Sequence, residues 1–331
     1  MKVFKRIIQG IGFFLLAVVL FYFVAKITGF VKLKEFYDNS TKEFTIPGLF
    51  ENFIPQGLEY DEAKESFLVS GYTKNNEKSP LYIVNNDKSV KKIYLKNSLG
   101  EECLDHFGGV TIYKNYLIAA GGNGASTGRQ FVYIYNLEDI YAAEENAFVS
   151  SLNEIDVYVG TAFVNVIGDY LYVGEYNHDG SPLYDIAKTV ERDWMPEDAK
   201  AIMLKYALKE DATFDKAPVA CYEIQDEIQG MLVTKEGEMV FSHSYGINPA
   251  HMSFHQDPKA LGDITIDGAT IPLYSYNKET ETRRVSVSPM IEAIVYANDR
   301  IYTLNESASS KYLYGLAFRG KSVYAFDYNH Q

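Results

Sequence analysis

Three features of the 331-residue sequence predict an all-β fold: a five-bladed β-propeller preceded by one N-terminal transmembrane helix. The first is a long apolar stretch close to the N-terminus. The second is a composition with 27 tyrosines and 20 phenylalanines, which favours half-buried strands over long amphipathic helices. The third is a strand-turn-strand pattern that recurs five times along the rest of the chain.

The apolar stretch runs from Ile7 to Ala25 without a charged residue. As a helix it measures about 28 Å, which is sufficient to cross the hydrocarbon core of a bilayer. Basic residues precede it at Lys2, Lys5 and Arg6, so the positive-inside rule predicts a cytoplasmic N-terminus and an extracellular C-terminal domain in a single-pass cell-membrane protein.

A cleaved signal peptide is the alternative interpretation of this stretch. Residues 21–29 contain no clear small-x-small cleavage site, which favours an uncleaved signal-anchor. The predicted organisation is a basic cytoplasmic tail (1–6), the transmembrane anchor (7–29), a stalk (30–42) and the propeller domain (43–331).

Charge and cysteine content limit the possible partners. The net charge is −13 although the first 31 residues carry four basic residues and no acid, so the rest of the chain is strongly acidic and nucleic acid is an unfavourable partner. The two cysteines, Cys103 and Cys221, have no CxxC or histidine-rich surroundings, so neither zinc nor redox chemistry is indicated. A disulfide is possible outside the cell, but two separate buried thiols are favoured.

The repeat consists of a short apolar strand, a tight polar turn and a second apolar strand. Its equivalent positions are spaced by 52 to 67 residues, which is enough for four strands in each unit. These positions are Gly57, Gly109, Phe163, Gly230 and Ala293. Four-stranded units arranged in a ring hide their strand edges, which predicts a propeller rather than a β-sandwich.

The last unit lacks a fourth strand of its own. The segment Glu43–Pro47 could supply that strand and close the ring, which favours five blades. Six blades are the alternative, if one of the longer third or fourth units conceals another blade. Within these units, residues 183–201 are predicted to be helical or irregular, and residues 247–263 to form a loop.

In each hairpin the start of the first strand and the end of the second lie at the same end, so these positions should converge on one face of the ring. We call it the channel face. The strand starts are Gln56, His106, Gln229 and Glu292, and the strand ends are Tyr72, Asn123, Glu175, His243, Tyr245, Asn305 and Glu306. This set predicts a polar ligand-binding ring, or alternatively solvated groups that bond to one another and to water.

Two metal sites are conceivable among these residues. Glu175, Glu292 and Glu306 could offer carboxylate oxygens to Ca²⁺, which takes six to eight oxygen ligands. His251 and His255 have a spacing that would suit zinc on a helix, but the glutamate of HExxH is missing, so they are interpreted as loop histidines.

Four short motifs carry a resemblance to a known group of proteins. They are Pro55-Gln56-Gly57, His106-Phe-Gly-Gly109, Ile228-Gln229-Gly230 and Asn305-Glu306-Ser-Ala-Ser-Ser-Lys311-Tyr312. Together with the repeat over residues 43–328, they resemble membrane-anchored or secreted bacterial β-propeller proteins that are distantly similar to arylesterase, regucalcin and strictosidine-synthase-like propellers. The resemblance implies a site on the channel face. Those enzymes hold a metal through Asn, Asp and Glu of successive inner strands, a pattern from which Gly108, Ala162 and the Gln positions depart.

Two functions follow as hypotheses. The first is an extracellular binding or interaction module that recognises a small molecule, glycan or protein on its channel face, because no nucleophile and base are recognisable there. The alternative is a calcium-dependent hydrolase of the lactonase or arylesterase kind, with His106 or His243 as the base.

Overall fold

The computed structural model describes residues 2–75, 77–122, 130–178 and 200–329. The strands of these residues form five sheets that follow one another around a ring. The predicted five-bladed propeller is therefore confirmed, and the six-bladed alternative is not what these residues form. Each sheet has four strands of its own, and the first and third sheets gain strands from neighbouring blades.

The blades are numbered along the chain from the inner strand outward. Blade 1 contains β2 (Phe53–Asp61), β3 (Ser66–Thr73), β4 (Pro80–Val84) and β5 (Val90–Lys96). Blade 2 contains β6 (Val110–Tyr113), β7 (Tyr116–Gly121), β8 (Phe131–Asn136) and β10 (Asn153–Asp156). Blade 3 contains β11 (Phe163–Ile167), β12 (Tyr170–Gly174), β13 (Ala201–Ala207) and β14 (Ala220–Ile224). Blade 4 contains β15 (Ile228–Val233), β16 (Met239–His243), β17 (Ala250–His255) and β20 (Glu281–Val287).

Blade 5 is assembled from both ends of the described chain. It contains β21 (Ile291–Ala297), β22 (Arg300–Asn305), β23 (Ser322–Phe326) and, at its outer edge, β1 (Ser40–Thr45). The antiparallel pairing of β1 with β23 runs from Ser40 opposite Phe326 to Thr45 opposite Ser322. The prediction that residues 43–47 supply the missing strand is thus confirmed for residues 43–45, although the strand begins earlier, at Ser40. The ring is closed by backbone hydrogen bonds between distant parts of the chain.

Two insertions bind one blade to the next. Strand β9 (Phe148–Ser150), which follows the short helix α3 (Leu137–Ala142) of blade 2, pairs in parallel with β5 of blade 1. The hairpin of β18 (Lys259–Ile266) and β19 (Ala269–Tyr276) leaves blade 4 and pairs in parallel with β14 of blade 3. The prediction of a loop over residues 247–263 is therefore wrong, because β17 and the start of β18 lie within it. The other predicted insertion, residues 183–201, lies outside the described residues up to position 199.

Three of the five equivalent positions of the repeat are glycines at which neighbouring inner strands approach closely. A Cβ atom on Gly109 would lie 2.7 Å from the backbone nitrogen of Val164, and one on Gly230 would lie 2.9 Å from the carbonyl oxygen of Glu292. Gly57 faces the backbone of Gly109 in the same way. Side chains are excluded from these three positions because backbone meets backbone across the blade boundary.

Two residues further along the inner strands, the side chains of three blades form hydrogen bonds to the backbone of the next blade. Glu59 accepts a hydrogen bond from a backbone N–H of blade 2 at 3.2 Å, and Thr111 accepts one from blade 3 at 3.0 Å. Asn165 donates to a backbone carbonyl of blade 4 at 2.8 Å. The equivalent residues of blades 4 and 5, Leu232 and Val295, are buried and apolar. At this position three blade boundaries are thus joined by side-chain to backbone hydrogen bonds, whereas the other two boundaries have apolar residues here and are bonded elsewhere, by Ser242 to the carbonyl of Glu292 and by Gln56 to Glu306.

The N-terminal helix α1 (Lys2–Lys32) contains an apolar stretch, Val3–Ile27, with a mean hydropathy of 2.5. Its large apolar side chains from Val3 to Val24 are exposed on the surface of the protein. By length and composition this helix could span a membrane. It is the one helix of that kind in the described part of the chain.

Residues 30–42, predicted as a stalk, contain the end of α1, helix α2 (Lys34–Asp38) and the beginning of β1. Leu33 and Phe36 are buried, and the hydroxyl of Tyr37 donates a hydrogen bond to the carbonyl of Phe318 in the 3₁₀ helix Tyr314–Phe318 of blade 5. The base of α1 is therefore packed on the propeller. The two cysteines are both buried and free, as the sequence analysis favours.

The close approach of the inner strands can be tested with a single methyl group. We expect Gly109→Ala to lower the free energy of unfolding by about 2–3 kcal/mol, because the added Cβ overlaps the backbone of blade 3. The measurement is chemical denaturation of the purified protein. Gly237→Ala is the matched control: its positive φ makes alanine unfavourable by about 1 kcal/mol, but nothing lies within 4 Å of the added methyl. Equal losses in the two variants would contradict the inferred overlap.

Candidate ligand-binding site on the channel face

The fold brings three of the predicted site residues together on the channel face. Gln56 lies on the inner strand of blade 1, Glu292 on the inner strand of blade 5, and Glu306 directly after the second strand of blade 5. The Nε2 atom of Gln56 donates a hydrogen bond to Oε2 of Glu306 at 2.9 Å. Blades 1 and 5 are neighbours in the ring although these residues are 250 positions apart, so ring closure creates this contact.

Glu292 and Glu306 form a buried pair of carboxyl groups, exposed by only 3% and 5%. Burial, followed by repulsion from Glu306, raises the pKa of Glu292 well above its ordinary value. Burial also raises the pKa of Glu306 to about 7, although the charge of Lys311 opposes that shift. The Oε1 atom of Glu292 is buried without a hydrogen-bond partner among the described residues. The pair therefore retains a proton at neutral pH, because two adjacent buried carboxylates repel each other.

An ammonium group and two stacked rings adjoin this pair. The Nζ atom of Lys311 donates to the hydroxyl of Tyr72 at 2.6 Å and lies 5.1 Å from the centre of the same ring. His106, at the entrance to blade 2, stacks on Tyr72 with 3.9 Å between ring centres. Desolvation, and then the charge of Lys311, lower the pKa of His106. The imidazole is therefore neutral at pH 7 and can both donate and accept a hydrogen bond.

A second group of side chains belongs to blades 3 and 4. The half-exposed ring of Tyr245 stacks on His178 with 3.6 Å between centres, and Nδ1 of His178 lies 2.7 Å from Oε1 of Glu227. The hydroxyl of Tyr314, from blade 5, donates to the carbonyl oxygen of Gly246 at 3.2 Å. This last bond joins the segment that follows Glu306 to the turn that follows Tyr245.

Other predicted site residues have structural roles in the described part of the chain. Oε1 of Glu175 accepts a hydrogen bond from the backbone nitrogen of Ile202 at 3.0 Å, within blade 3. The amide of Asn305 donates to two backbone carbonyls between blades 4 and 5, at 3.1 Å and 3.2 Å. Gln229 is half-buried on β15, and Asn123 lies outside the described residues.

The three carboxylates proposed for calcium do not form one cluster. Within the described ranges, no group of three or more His, Cys, Asp or Glu side chains is arranged to hold a metal ion. Glu292 and Glu306 are adjacent, whereas Glu175 accepts a hydrogen bond from the backbone of its own blade. Any cation at the pair would need further oxygen ligands from backbone carbonyls, water or residues outside the described ranges.

The histidines of blade 4 form a buried cluster around Ser253. Nε2 of His243 and Nε2 of His255 lie 2.7 Å and 2.9 Å from the Ser253 hydroxyl, and the rings of His243 and His251 stack at 4.5 Å. Burial lowers the pKa of His251 and of His255 to about 4 and holds that of His243 well below its ordinary value. The interpretation of the pair 251 and 255 as loop histidines is wrong. They lie on strand β17, where a spacing of four places side chains on one face just as it does on a helix.

The comparisons with known proteins concern the fold and do not identify a ligand for the site. No protein-family model and no curated protein sequence matches the chain. The PQQ-bound form of aldose sugar dehydrogenase from Streptomyces coelicolor is 12% identical, with a TM-score of 0.48 over 86% of this chain and 96% of that one. BamB from Moraxella catarrhalis is 9% identical, with a TM-score of 0.33 over 84% of each chain. A chain of the nidogen/laminin complex is 8% identical, with a TM-score of 0.36 over 77% of this chain and 73% of that one.

These solved structures are β-propeller proteins, but likeness at such low identity concerns the fold alone. No ligand, reaction or partner passes from them to this chain. The similarity to arylesterase, regucalcin and strictosidine-synthase-like propellers stays a prediction.

The acidic pair should make the free energy of unfolding depend on pH. Both acids bind a proton more tightly in the folded chain than in the unfolded chain, where their pKa is 4.5, so their contribution to stability falls as the pH rises from about 4.5 through 7. Glu292→Gln imitates the protonated acid. We expect it to raise the free energy of unfolding by about 1–2 kcal/mol at pH 8 and much less at pH 5.

Denaturant unfolding at both pH values measures this effect. Glu210→Gln is the matched control, because the side chain of Glu210 is 91% exposed. If Glu292→Gln changed stability equally at pH 5 and pH 8, Glu292 would not be the carboxyl group that retains the proton.

Proposed function

We propose that this protein is a single-pass membrane protein whose propeller lies outside the cytoplasm and binds a ligand on its channel face. The observation that carries the proposal is the buried pair of carboxyl groups of Glu292 and Glu306, whose pKa values are raised by burial and which adjoins the ammonium group of Lys311. Such an arrangement lowers stability at neutral pH, because burying carboxyl groups with an unsatisfied oxygen costs free energy. Costly polar groups of this kind concentrate at functional sites.

The chemistry of the site favours a small polar ligand or a glycan. Glu306 and Gln56 offer hydrogen-bond acceptors and donors, Lys311 offers a cation, and the rings of Tyr72 and His106 offer a flat surface. Aromatic faces combined with a few convergent polar groups are typical of small-molecule sites. The acidic character of the chain makes neutral or positively charged ligands better partners than polyanions.

A calcium-dependent hydrolase of the lactonase or arylesterase kind is the second candidate. The observation in its favour is again the carboxyl pair, since two adjacent carboxylates could provide side-chain ligands for Ca²⁺, and His106 is neutral and could accept a proton. His243 is a weaker base for this purpose because it is 3% exposed and bonded to Ser253.

The binding hypothesis can be tested with two charge-removing variants. We expect Glu306→Gln and Lys311→Met each to weaken binding of a glycan or small molecule by at least about tenfold, because each removes a charged hydrogen-bonding partner. A glycan array followed by calorimetry on the best hit provides the measurement. Glu210→Gln and Lys235→Met, which alter exposed residues of blades 3 and 4, are the matched controls.

Two outcomes would contradict the binding hypothesis. If both site variants bound every hit as tightly as the wild type, the channel face near Glu306 would not be the ligand site. If chelator abolished hydrolysis of an aryl ester or lactone, Ca²⁺ restored it, and Glu292→Gln did not respond, the protein would be the hydrolase and not a binding module.

The proposed topology can be tested separately by labelling cysteines introduced at exposed positions. Leu99 is 81% exposed on the propeller, whereas Cys103 and Cys221 are buried and should give no background. We expect Leu99→Cys to react with a membrane-impermeant maleimide on intact cells. Lys2→Cys, in the predicted cytoplasmic tail, should react only after permeabilisation. The reverse pattern would place the propeller in the cytoplasm.

A further inference from the structure

A cleft of about 610 Å³ lies where α1 meets the propeller, between α1, α2 and the end of the 3₁₀ helix of blade 5. Its inner wall is apolar and aromatic. Phe318 packs against Gly29 of α1, and Tyr324 of β23 lines the cleft beside them. Tyr22 and Phe23 extend the wall along α1 and are 41% and 57% exposed.

The rim of the cleft is strongly basic. Five cationic side chains line it, accompanied by a single acid, Asp38. The five are Lys26, Lys34, Lys42, Arg319 and Lys321. In a chain with a net charge of −13, such a concentration of positive charge at one place needs a reason beyond overall composition.

Most of these cations are available to an external anion. Lys34 forms an ion pair with Asp38. In the described part of the chain, no carboxylate lies within salt-bridge distance of the other four. Lys26 lies over the ring of Tyr22 at 5.1 Å and Arg319 over the ring of Tyr37 at 4.8 Å. These ring contacts direct the two cations without neutralising them.

The position of the cleft along α1 identifies the kind of anion. Tyr22 and Phe23 belong to the apolar stretch Val3–Ile27, and Lys26 stands about 6 Å further along the helix, at its polar end. The cleft thus begins on a surface suited to hydrocarbon and ends among cations at the level where a bilayer has its headgroups. A soluble anion would match the rim alone, whereas a phospholipid matches both the rim and the apolar wall.

We propose that this cleft binds an anionic phospholipid, with its phosphate among Lys42, Arg319 and Lys321 and an acyl chain along Tyr22 and Phe23. The inference rests on the proposed function in one respect, namely that α1 spans a bilayer. Basic pockets at the ends of membrane helices recognise anionic headgroups through charge and hydrogen bonds. The bound lipid would fix the propeller against the membrane surface.

The experiment uses the full-length protein in nanodiscs of phosphatidylcholine containing 10% phosphatidylglycerol, with the retained lipid counted by native mass spectrometry. We expect one phosphatidylglycerol to be retained selectively. The triple variant Lys42→Gln, Arg319→Gln, Lys321→Gln should retain it at least about tenfold less well. The charge-preserving triple variant Lys42→Arg, Arg319→Lys, Lys321→Arg should restore retention.

Two further arms make the result decisive. The control triple variant Lys209→Gln, Lys235→Gln, Lys259→Gln removes the same charge from distant exposed positions and should retain the lipid as the wild type does. Soluble glycerophosphoglycerol, the headgroup without chains, should compete poorly. Equal competition would overturn the lipid proposal in favour of a soluble phosphate compound, and equal retention by wild type and the glutamine triple variant would overturn the cleft itself.

Flotation with neutral vesicles separates this inference from the proposed anchor. Wild type and all three triple variants should float equally, because α1 and not the cleft holds them in the bilayer. A protein that does not float lacks the anchor. A protein that floats but shows no preference for phosphatidylglycerol lacks only the lipid site, and ligand binding at Glu306 is measured independently of both.

Discussion

The close approach of neighbouring inner strands is the constraint on which the rest of the structure depends. At Gly57 and Gly109 backbone meets backbone, so blades 1, 2 and 3 come near enough for Glu59 and Thr111 to accept hydrogen bonds from the next blade. Closure of the ring then brings Gln56 of blade 1 within hydrogen-bond distance of Glu306 of blade 5. The site is therefore a product of ring closure, since no single blade contains both partners.

Two groups of buried side chains make the stability of the fold depend on pH in opposite directions. The contribution of Glu292 and Glu306 to the free energy of unfolding falls as the pH rises above about 4.5, because their pKa values are raised in the folded chain. The buried histidines of blade 4 act in the opposite direction: because the pKa values of His251 and His255 are lowered to about 4, they favour unfolding as the pH falls below 6.5. The two pH ranges overlap between about 4.5 and 6.5, so the two effects on stability oppose each other there.

The sequence predicted the ring better than the site. Glycine recurs at three of the five equivalent positions because side chains are excluded there, and the segment after α1 has the residues of a strand, so both features are visible in the sequence. The sequence does not indicate Lys311, His178 and Glu227 as site residues, because they lie in connections beyond the strand ends, where no repeat predicts direction. The prediction of a loop over 247–263 is wrong because the alternation around Met252 and Phe254, which are both buried, outweighs the Pro and His residues of that segment.

The connection between β22 and β23 of blade 5 contacts both the acidic pair and the base of α1. It leaves the channel face at Glu306, passes Lys311 and Tyr314, and reaches the base of α1 at Phe318 and Arg319. Tight packing fixes its path, since a Cβ on Gly315 would lie 2.1 Å from the hydroxyl of Ser307. Helix α1 and the acidic pair are thus held by the same short segment. A propeller joined to its helix by a flexible linker could present its channel face in any direction, whereas this packing gives the face a defined orientation relative to α1.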